Sequence, residues 1–271
     1  MKTLMARYPL SWLAAILWIV AARGIAAPIT VYLDENPWPP YSFLRETAPG
    51  QPPELTGFTV ELATAALQAL GQDFQIRHLP WAVVHQKAKS ANAADRCDMI
   101  WDISTNPERE TYLYFTDPIY KLHYTLMYPL SRFPRGTPLR QMTDLKGWKT
   151  CGVKDYNYGS LPSQINLQRA ESIQDALNLL QRKECDFFLI EASVMERGQA
   201  MGLYKSAPLG CVGMDGMSKA YRLAISHQAE NAMLLHANLR KVLDGLRRSG
   251  LQGRLARRYQ VAFPQCTETL P

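Results

Sequence analysis

Short apolar strands alternate with amphipathic helices through the first part of the chain after its N-terminal segment. The strand patterns fall at 29–33, 74–78 and 99–103, and the helical patterns fall at 58–70 and 81–89. Gly71 is placed to end the first helix. Elements in this order give parallel neighbouring strands that are joined by right-handed crossover helices. The sequence therefore predicts an α/β fold built on a mostly parallel sheet.

A proline-rich interruption separates two groups of predicted elements. The strand at 120–129 is rich in aromatic and β-branched residues, and Pro129, Pro134 and Pro138 break regular structure after it. We predict that the chain leaves its first lobe here. The elements of the second lobe are a strand at 149–153, a helix at 172–181 and a strand at 186–190.

A glycine-rich stretch at 209–217 predicts the return crossing to the first lobe. A strand at 221–225 and a long amphipathic helix that ends at Gly250 complete that lobe. We therefore predict a signal peptide at 1–26, the first part of lobe 1 at 27–130, lobe 2 at 131–212 and the rest of lobe 1 at 213–271.

The N-terminal segment has the pattern of a secretory signal peptide. Lys2 and Arg7 precede an apolar run at 10–22, which is shorter than the roughly 20 residues that a membrane-spanning helix needs. Small residues before the cut satisfy the rule for cleavage after Ala26, whereas Arg23 near this site leaves an uncleaved anchor as the alternative. We expect export to the periplasm as a soluble monomer.

Charge and composition exclude several kinds of function. Without residues 1–26, 27 cationic residues stand against 24 acidic ones, a net charge of about +3. No basic stripe carries interleaved aromatic residues, so no nucleic-acid partner is expected. The sequence has no CxxC or HxxxH spacing and no GxxxxGKS motif, which argues against a metal site and a phosphate cradle. We expect no cofactor.

Five cysteines are an odd number for an oxidising compartment, so at least one lacks an intrachain partner. They are Cys97, Cys151, Cys185, Cys211 and Cys266. Cys151 and Cys185 fall at the ends of two predicted strands of lobe 2, and Cys97 and Cys266 can both lie in lobe 1. We expect one or two disulfides, and the sequence leaves their pairing open.

Arg109 stands just past the end of the buried strand at 99–103. In open α/β sheets, ligands collect in the crevice beyond the carboxyl ends of the strands. A planar guanidinium with five donors is well shaped to grip a carboxylate there. The alternative is a surface ion pair of Arg109 with Glu108 or Glu110.

Short motifs in a fixed order extend this observation over nearly the whole chain after residue 26. They are Pro40-Tyr41-Ser42-Phe43, Gly57-Phe58-Thr59-Val60-Glu61-Leu62, Leu70-Gly71, Pro80-Trp81, Pro107-Glu108-Arg109, Phe115-Thr116-Asp117-Pro118, Asp144-Leu145-Lys146-Gly147 and Cys185-Asp186-Phe187-Phe188-Leu189-Ile190-Glu191. Together they resemble the bacterial extracellular solute-binding proteins of family 3, the periplasmic receptors of amino-acid ABC transporters. The resemblance implies a two-lobed type II periplasmic binding protein fold, in which each lobe is a mostly parallel sheet flanked by helices and two hinge crossings connect the lobes.

The resemblance also implies roles for individual residues. Arg109 would clamp a ligand carboxylate, and Ser104 would add a hydroxyl donor. Glu191 ends a buried strand where the family has an acid, usually Asp, that receives the α-ammonium of the ligand; a helix N-cap is the alternative role. Glu35 and Trp38 match a ligand-contacting acid and an aromatic that packs over the ligand. Trp38 can also cover the sheet edge, and Glu35 can be a solvated loop acid.

Three positions depart from the family pattern. Asp102 stands where a small or hydroxylated residue is usual, and Asn157 and Tyr158 replace the commoner Gly-Thr/Ser in a loop that offers donors to the ligand carboxylate. The Asp102 carboxylate would pair with Arg109, select a cationic group of the ligand, or point away from the pocket. The sequence leaves these alternatives open.

The resemblance implies a receptor in which Arg109 from one lobe and Glu191 from the other close on a zwitterion. The expected partners are an amino acid or similar small polar solute and an inner-membrane ABC permease. One alternative is a sensory receptor that docks on a membrane kinase, cyclase or chemoreceptor. The other is an enzyme resembling cyclohexadienyl dehydratase, which would use Glu35, Asp102 or Glu191 as acid or base.

Overall fold

A computed structural model of the protein describes residues 28–92, 94–159, 161, 165–261 and 266. The predicted signal peptide at 1–26 lies outside these residues. The strands are β1 (Ile29–Asp34), β2 (Phe43–Arg45), β3 (Glu54–Thr56), β4 (Phe74–Leu79), β5 (Met99–Ser104), β6 (Leu113–Phe115), β7 (Tyr120–Pro129), β8 (Thr150–Val153), β9 (Leu167–Ala170), β10 (Phe187–Glu191) and β11 (Leu209–Ser226). The helices are α1 (Phe58–Ala69), α2 (Trp81–Lys89), α3 (Pro107–Glu110), α4 (Ile173–Gln181), α5 (Ala192–Ala200), α6 (Ala232–Arg248) and α7 (Leu251–Arg258), with a 3-10 turn at Met142–Leu145.

The first half of the main sheet is parallel. β1 pairs in parallel with β4 on one side and with β5 on the other. α1 precedes β4 and α2 precedes β5, so both helices serve as crossovers. Phe58, Leu62 and Ala66 recur at helical spacing along α1, and each is at most 1% exposed. The parallel α/β order predicted from the sequence is confirmed.

The second half of the sheet repeats this arrangement. β10 is parallel to β8, and β8 is parallel to β9. The sequence pattern does not reveal β9, because Gln168 and Arg169 at its centre are exposed. β9 lies at the edge of the sheet, where a strand needs no continuous apolar pattern.

Two long antiparallel strands, β7 and β11, connect the halves. The start of β7 pairs with β11 beside β5, while residues 124–127 of β7 also pair with β10. The type II periplasmic binding protein fold with two crossings is therefore confirmed, and both crossings run through extended strands. The lobe boundaries at 130 and 212 remain predictions.

β11 differs from its sequence-based prediction, because it continues through the glycine-rich stretch at 209–217. The glycines read as loop residues in the sequence, but Gly210 has a packing role. A Cβ atom there would lie 2.4 Å from the ring of Tyr128, so the Tyr128 side chain occupies the space that a larger residue at position 210 would need. The pairing of the two strands shifts register between Gly213 and Ser218.

The C-terminal helices α6 and α7 pack on α1 through a buried face that includes Leu239, Leu243 and Leu255. Gly250 separates them with a φ of 76°, a left-handed conformation that favours glycine. The predicted end of the long helix at Gly250 is confirmed, and α7 is an additional element. No helix in the described residues is both long enough and apolar enough to span a bilayer.

Two disulfides resolve the pairing that the sequence left open. Cys151 bonds to Cys185 and links β8 to the segment just before β10, while Cys211 bonds to Cys266 and ties the C-terminal segment to β11. Cys97 is buried with a free thiol. Closing loops of this length restricts the unfolded chain and is worth about 3 to 4 kcal/mol per disulfide in the chain-entropy view.

Candidate functional site

A small cavity lies where the carboxyl ends of β1 and β5 meet β11 and the loop after β8. Its volume is about 40 Å3. The lining residues come from both halves of the sheet and are Leu33, Asp34, Asn36, Trp38, Ser42, Trp81, Trp101, Asp102, Ser104, Arg109, Tyr156, Asn157, Lys219 and Tyr221. This position, beyond the carboxyl ends of parallel strands, is where α/β sheets bind ligands.

Arg109 is fixed by the short helix α3, which starts directly after β5. The side chain of Asn106 caps this helix by accepting a hydrogen bond of 2.7 Å from the main-chain N–H of Arg109. The guanidinium donates through Nη1 to the carbonyl and the hydroxyl oxygen of Ser104 at 2.9 and 3.2 Å, and through Nη2 to the carbonyl of Asp155 at 3.3 Å. Arg109 is therefore held in the cavity wall by neutral oxygen atoms.

The charge of Arg109 has no acidic partner within the described part of the chain. The residue is only 5% exposed, and burial lowers the pKa of its guanidinium. The alternative role of Arg109, a surface ion pair with Glu108 or Glu110, is not seen among the described residues, and Glu108 pairs with Lys89 instead. A buried, uncompensated guanidinium favours an anion beside it.

Asp102 interrupts β5 with a bulge. Two residues of β5, Trp101 and Asp102, stand opposite Leu223 of β11, and Asp102 has a φ of 55°. A left-handed conformation is uncommon for residues other than glycine, and Asp tolerates it better than most. Bulges re-aim side chains near functional sites, and here the bulge places Asp102 in the cavity wall.

The Asp102 carboxylate is asymmetrically bonded. Its Oδ1 accepts hydrogen bonds from the hydroxyls of Thr59 and Tyr120, the latter at 2.7 Å. Its Oδ2 is shielded from solvent and has no hydrogen-bond partner among the described residues. Burial raises the pKa of Asp102 to about 6, although the hydroxyls of Thr59, Tyr120 and Ser42 act to lower it. The Ser42 hydroxyl acts on the carboxylate of Asp102 from nearby, outside the geometry of an ordinary hydrogen bond.

Asp34, the last residue of β1, also lines the cavity. Oδ1 of Asp34 accepts hydrogen bonds from the main-chain N–H and the amide Nδ2 of Asn36 at 3.0 and 3.1 Å. Burial raises the pKa of Asp34 to about 6. Glu35 lines an adjoining depression with His78 and Leu203, which shares Asp34, Asn36 and Ser42 with the cavity. The cavity itself is therefore lined by Asp34 and not by the predicted Glu35.

Trp38 is held between the loop and the crossing strand β7. Its Nε1 donates a hydrogen bond of 3.1 Å to the hydroxyl of Tyr120, and its ring meets Tyr156 edge-on at 5.6 Å. Trp38 is 8% exposed and lines the cavity. The ring of Tyr120 stacks between Tyr41 at 3.9 Å and Tyr221 at 4.8 Å. These aromatic residues form a rigid wall that needs little ordering on binding.

The start of α1 fixes the aromatic loop in place. The main-chain N–H groups of Phe58 and Thr59 donate to the carbonyls of Pro40 and Tyr41, both at 3.0 Å. Gly57 adopts a φ of 132°, and a Cβ atom there would lie 2.2 Å from the carbonyl oxygen of Tyr41. This close approach brings Thr59 within hydrogen-bonding reach of Asp102.

Glu191 lies at the end of β10, in the half of the sheet opposite Arg109, and is 1% exposed. Its carboxylate is 2.7 Å from Nζ of Lys219 and accepts a hydrogen bond of 2.6 Å from the hydroxyl of Tyr221. Glu191 does not line the cavity within the described residues. It also makes no side-chain cap hydrogen bond to α5 among them, so the capping role does not apply.

Lys219 is a site residue that the sequence analysis missed. Its ammonium pairs with Glu191, donates to the carbonyl of Asn157 at 3.0 Å and lies 4.9 Å from the centre of the Tyr124 ring. Burial lowers the pKa of Lys219, and Glu191 acts to raise it. No local motif marks this residue, because its partner is distant in the sequence.

The loop after β8 bridges the two halves. Nδ2 of Asn157 donates to the hydroxyl oxygen of Ser104 and to the carbonyl of Thr105, both at 2.9 Å. Tyr158 is 3% exposed and its hydroxyl accepts a hydrogen bond of 2.6 Å from the main-chain N–H of Val153. Tyr158 supports the loop from behind and is not a lining residue among those described.

The structure thus brings five of the eight predicted site residues to the cavity and places three elsewhere. The lining residues are Arg109, Ser104, Asp102, Trp38 and Asn157, and the others are Glu35, Glu191 and Tyr158. No cluster of three or more His, Cys, Asp or Glu side chains placed to bind a metal ion occurs in the described chain.

Comparisons with known proteins place this geometry in context. The sequence matches the family model of the Bacterial extracellular solute-binding proteins, family 3, over residues 29–262. No curated protein sequence matches the chain. The substrate-binding protein of an amino acid ABC transporter has a similar structure with a TM-score of 0.66 and 19% identity, and the alignment covers 85% of this chain and 98% of that chain.

Two further solved structures are similar. An amino acid ABC transporter substrate-binding protein from Streptococcus pneumoniae, bound to L-arginine, has a TM-score of 0.68 and 18% identity, with 88% of this chain and 97% of that chain covered. A histidine kinase sensor domain with similarity to periplasmic binding proteins has a TM-score of 0.66 and 22% identity, with the same coverage of 88% and 97%. These structures show a shared fold. Because the family match extends over most of the sequence, the chain belongs to the bacterial extracellular solute-binding proteins of family 3.

Proposed function

We propose that this protein is a periplasmic receptor that captures an amino acid or a similar small carboxylate-bearing solute between its two halves and delivers it to an ABC permease. The observation that carries the proposal is the guanidinium of Arg109, which is buried in the cavity wall without an acidic partner in the described chain. A ligand carboxylate would supply the missing negative charge. It would also accept hydrogen bonds from the N–H groups of the guanidinium that do not bond to the neutral oxygens.

Movement of the two halves is needed for binding. The cavity of about 40 Å3 has room for about three water molecules, which is less than an amino acid with a side chain needs. Hydrogen bonds across the opening join Asn157 to Ser104, Tyr41 to Ser193 at 3.3 Å and Tyr204 to the carbonyl of Pro37 at 2.7 Å. Breaking these hydrogen bonds would open the cavity to the solute. Contacts that the two halves make with the bound solute would then stabilise the closed form.

The proposal is for binding without chemical conversion. The family and the similar structures are mainly binding proteins. A dehydratase would need a group in the cavity that exchanges protons with its substrate, and Asp34 and Asp102 are the acids there. A prephenate turnover assay separates the two functions, because a receptor returns prephenate unchanged.

A sensory role is the second candidate. It is favoured by the similarity to a histidine kinase sensor domain at a TM-score of 0.66. Both roles use the same closure, so they differ in the partner that recognises the shut form. Crosslinking of the ligand-loaded protein in isolated inner membranes, followed by identification of the crosslinked protein as a permease or a kinase, would decide between them.

Titration calorimetry against the twenty common L-amino acids tests the binding function. We expect at least one to bind, and Arg109→Ala to weaken it by at least about 30-fold, because one partner of a buried charge pair is lost. Arg248→Ala is the matched control, since Arg248 is an exposed arginine at the end of α6. Equal affinity in the wild type and Arg109→Ala would refute the clamp.

A further inference from the structure

We infer that Asp102 receives the cationic group of the ligand, so that Asp102 and Arg109 hold both charges of a zwitterion from the same half of the sheet. This inference rests on the proposed function and names the specificity of that site. The ligand class is a compact zwitterion with a protonated nitrogen close to its carboxylate. Glu191, the acid implied by the family resemblance, then has a structural role.

The first argument is the unsatisfied bonding of Asp102. Its Oδ2 is shielded from solvent and has no hydrogen-bond partner in the described chain, although Asp102 lines the cavity. The neighbouring lining residue Trp101 likewise has an indole N–H without a partner among those residues. Buried polar groups in native proteins nearly always find partners. A ligand that supplies a donor for Asp102 and an acceptor for Trp101 satisfies both.

The second argument is the state of Glu191. Its charge is compensated by Lys219 at 2.7 Å, and its Oε1 also accepts the hydroxyl of Tyr221 at 2.6 Å. A ligand ammonium would have to displace Lys219, whose side chain is itself 8% exposed. Separating a buried ion pair leaves an uncompensated charge and is strongly unfavourable. Asp102, by contrast, has hydroxyl groups as its hydrogen-bond donors and no cationic partner among the described residues.

The third argument is the placement of the two charged groups. Asp102 lies two positions before Ser104, the residue that accepts hydrogen bonds from Arg109. Asp102 and Arg109 line the same small cavity, so one small zwitterion can contact both. Trp38 and Trp101 also line the cavity, and aromatic rings stabilise a neighbouring cation.

This arrangement predicts the order of ligand docking and closure of the two halves. Both charged contacts come from β5 and α3 in the first half of the sheet, so the ligand can dock completely before the halves close. The second half then contributes the neutral groups of Tyr156 and Asn157 as a cover. Discrimination between an amino acid and its deaminated analogue should therefore depend more on Asp102 than on Glu191.

Calorimetry on four proteins tests the inference: the wild type, Asp102→Asn, Glu191→Gln and Arg109→Ala. Each is titrated with the tightest-binding L-amino acid of the twenty and with the 2-hydroxy acid that carries the same side chain. Asp102→Asn should weaken the amino acid by about 10- to 100-fold, as expected for a lost charge-assisted hydrogen bond. It should change the hydroxy acid far less, so that discrimination between the two compounds falls. The loss for Glu191→Gln should be smaller than the loss for Asp102→Asn.

The outcomes separate this inference from the proposed function. Binding of no amino acid by the wild type, or full affinity in Arg109→Ala, overturns the proposed function and the inference with it. Loss of affinity in Arg109→Ala combined with unchanged discrimination in Asp102→Asn overturns the inference alone. Asp102→Ser is the second variant, because the family usually has a small or hydroxylated residue there; it should lose discrimination in the same way, and retained discrimination in a folded Asp102→Ser also overturns the inference.

Discussion

Replacing Asp102 with Asn should raise the stability of the variant relative to the wild type as the pH rises from 4.5 to 8, while weakening ligand binding. The carboxylate of Asp102 is charged and enclosed, and its pKa is raised from 3.8 to about 6. Asn keeps an oxygen that accepts from Thr59 and Tyr120, and it removes the charge. Sites that bind ligands often carry such a stability cost.

The magnitude follows from the linkage between proton binding and folding. A rise of about two pKa units corresponds to about 3 kcal/mol, at 1.36 kcal/mol per unit. Because the folded-state pKa of Asp102 lies above the unfolded value, its favourable contribution is present below pH 3.8 and is lost as the pH rises through about 6. The variant lacks this loss, so the stability difference between variant and wild type should grow by about 2 kcal/mol between pH 4.5 and pH 8.

Urea unfolding followed by tryptophan fluorescence measures this difference at a series of pH values. The change of the difference with pH is the informative quantity, because the unpartnered amide of Asn adds a constant offset. Asp34, whose pKa is also raised to about 6, is present in both proteins and cancels. Asp117→Asn, at an exposed carboxylate beside Arg240, is the control. A difference that stays flat or shrinks towards pH 8 would refute the assignment of a buried, charged Asp102.

Three further predictions concern the ion pair, the thiol and the pH profile of binding. Lys219→Met should lower the free energy of unfolding by about 3 kcal/mol or more, because it leaves Glu191 uncompensated. Adding Glu191→Gln should recover much of this loss in the same urea assay. An equal loss in the single and the double variant would show that the pair is not coupled. The native protein should react slowly with a thiol reagent, because Cys97 is buried and the pKa of its thiol is raised. Unfolding should expose one reactive thiol per chain, and a second one would contradict the disulfide pairing. Affinity for an amino acid should fall as the pH decreases below about 6, because protonation neutralises the carboxylate of Asp102. An equal fall of affinity in Asp102→Asn would assign the effect to another group.

Hydrophobic periodicity predicts the regular elements of this fold well. The helix α2 has its predicted bounds, and the parallel order of β1, β4 and β5 follows from the alternation of strands and helices. β11 is the exception, because its glycines predict a loop. The structure shows instead that Tyr128 of the neighbouring strand occupies the space above Gly210. That information lies in the pairing of two strands that are distant in the sequence.

The charged residues of the site show the same limit. The position of Arg109 just past a strand end predicts its place in the cavity, whereas the choice between Asp34 and Glu35 depends on a register of one residue. The orientation of Asp102 depends on a bulge that forms against β11. The compensation of Glu191 requires Lys219, which lies in a different strand. Such contacts follow from tertiary structure and leave no local pattern.

A crystal structure of the protein with its tightest-binding amino acid tests the central claim most directly. We predict that the ligand carboxylate accepts hydrogen bonds from the guanidinium of Arg109, and that the ligand nitrogen lies within hydrogen-bonding distance of Oδ2 of Asp102, with Lys219 still paired to Glu191. A ligand bound elsewhere, or one whose carboxylate makes no contact with Arg109, would contradict the account.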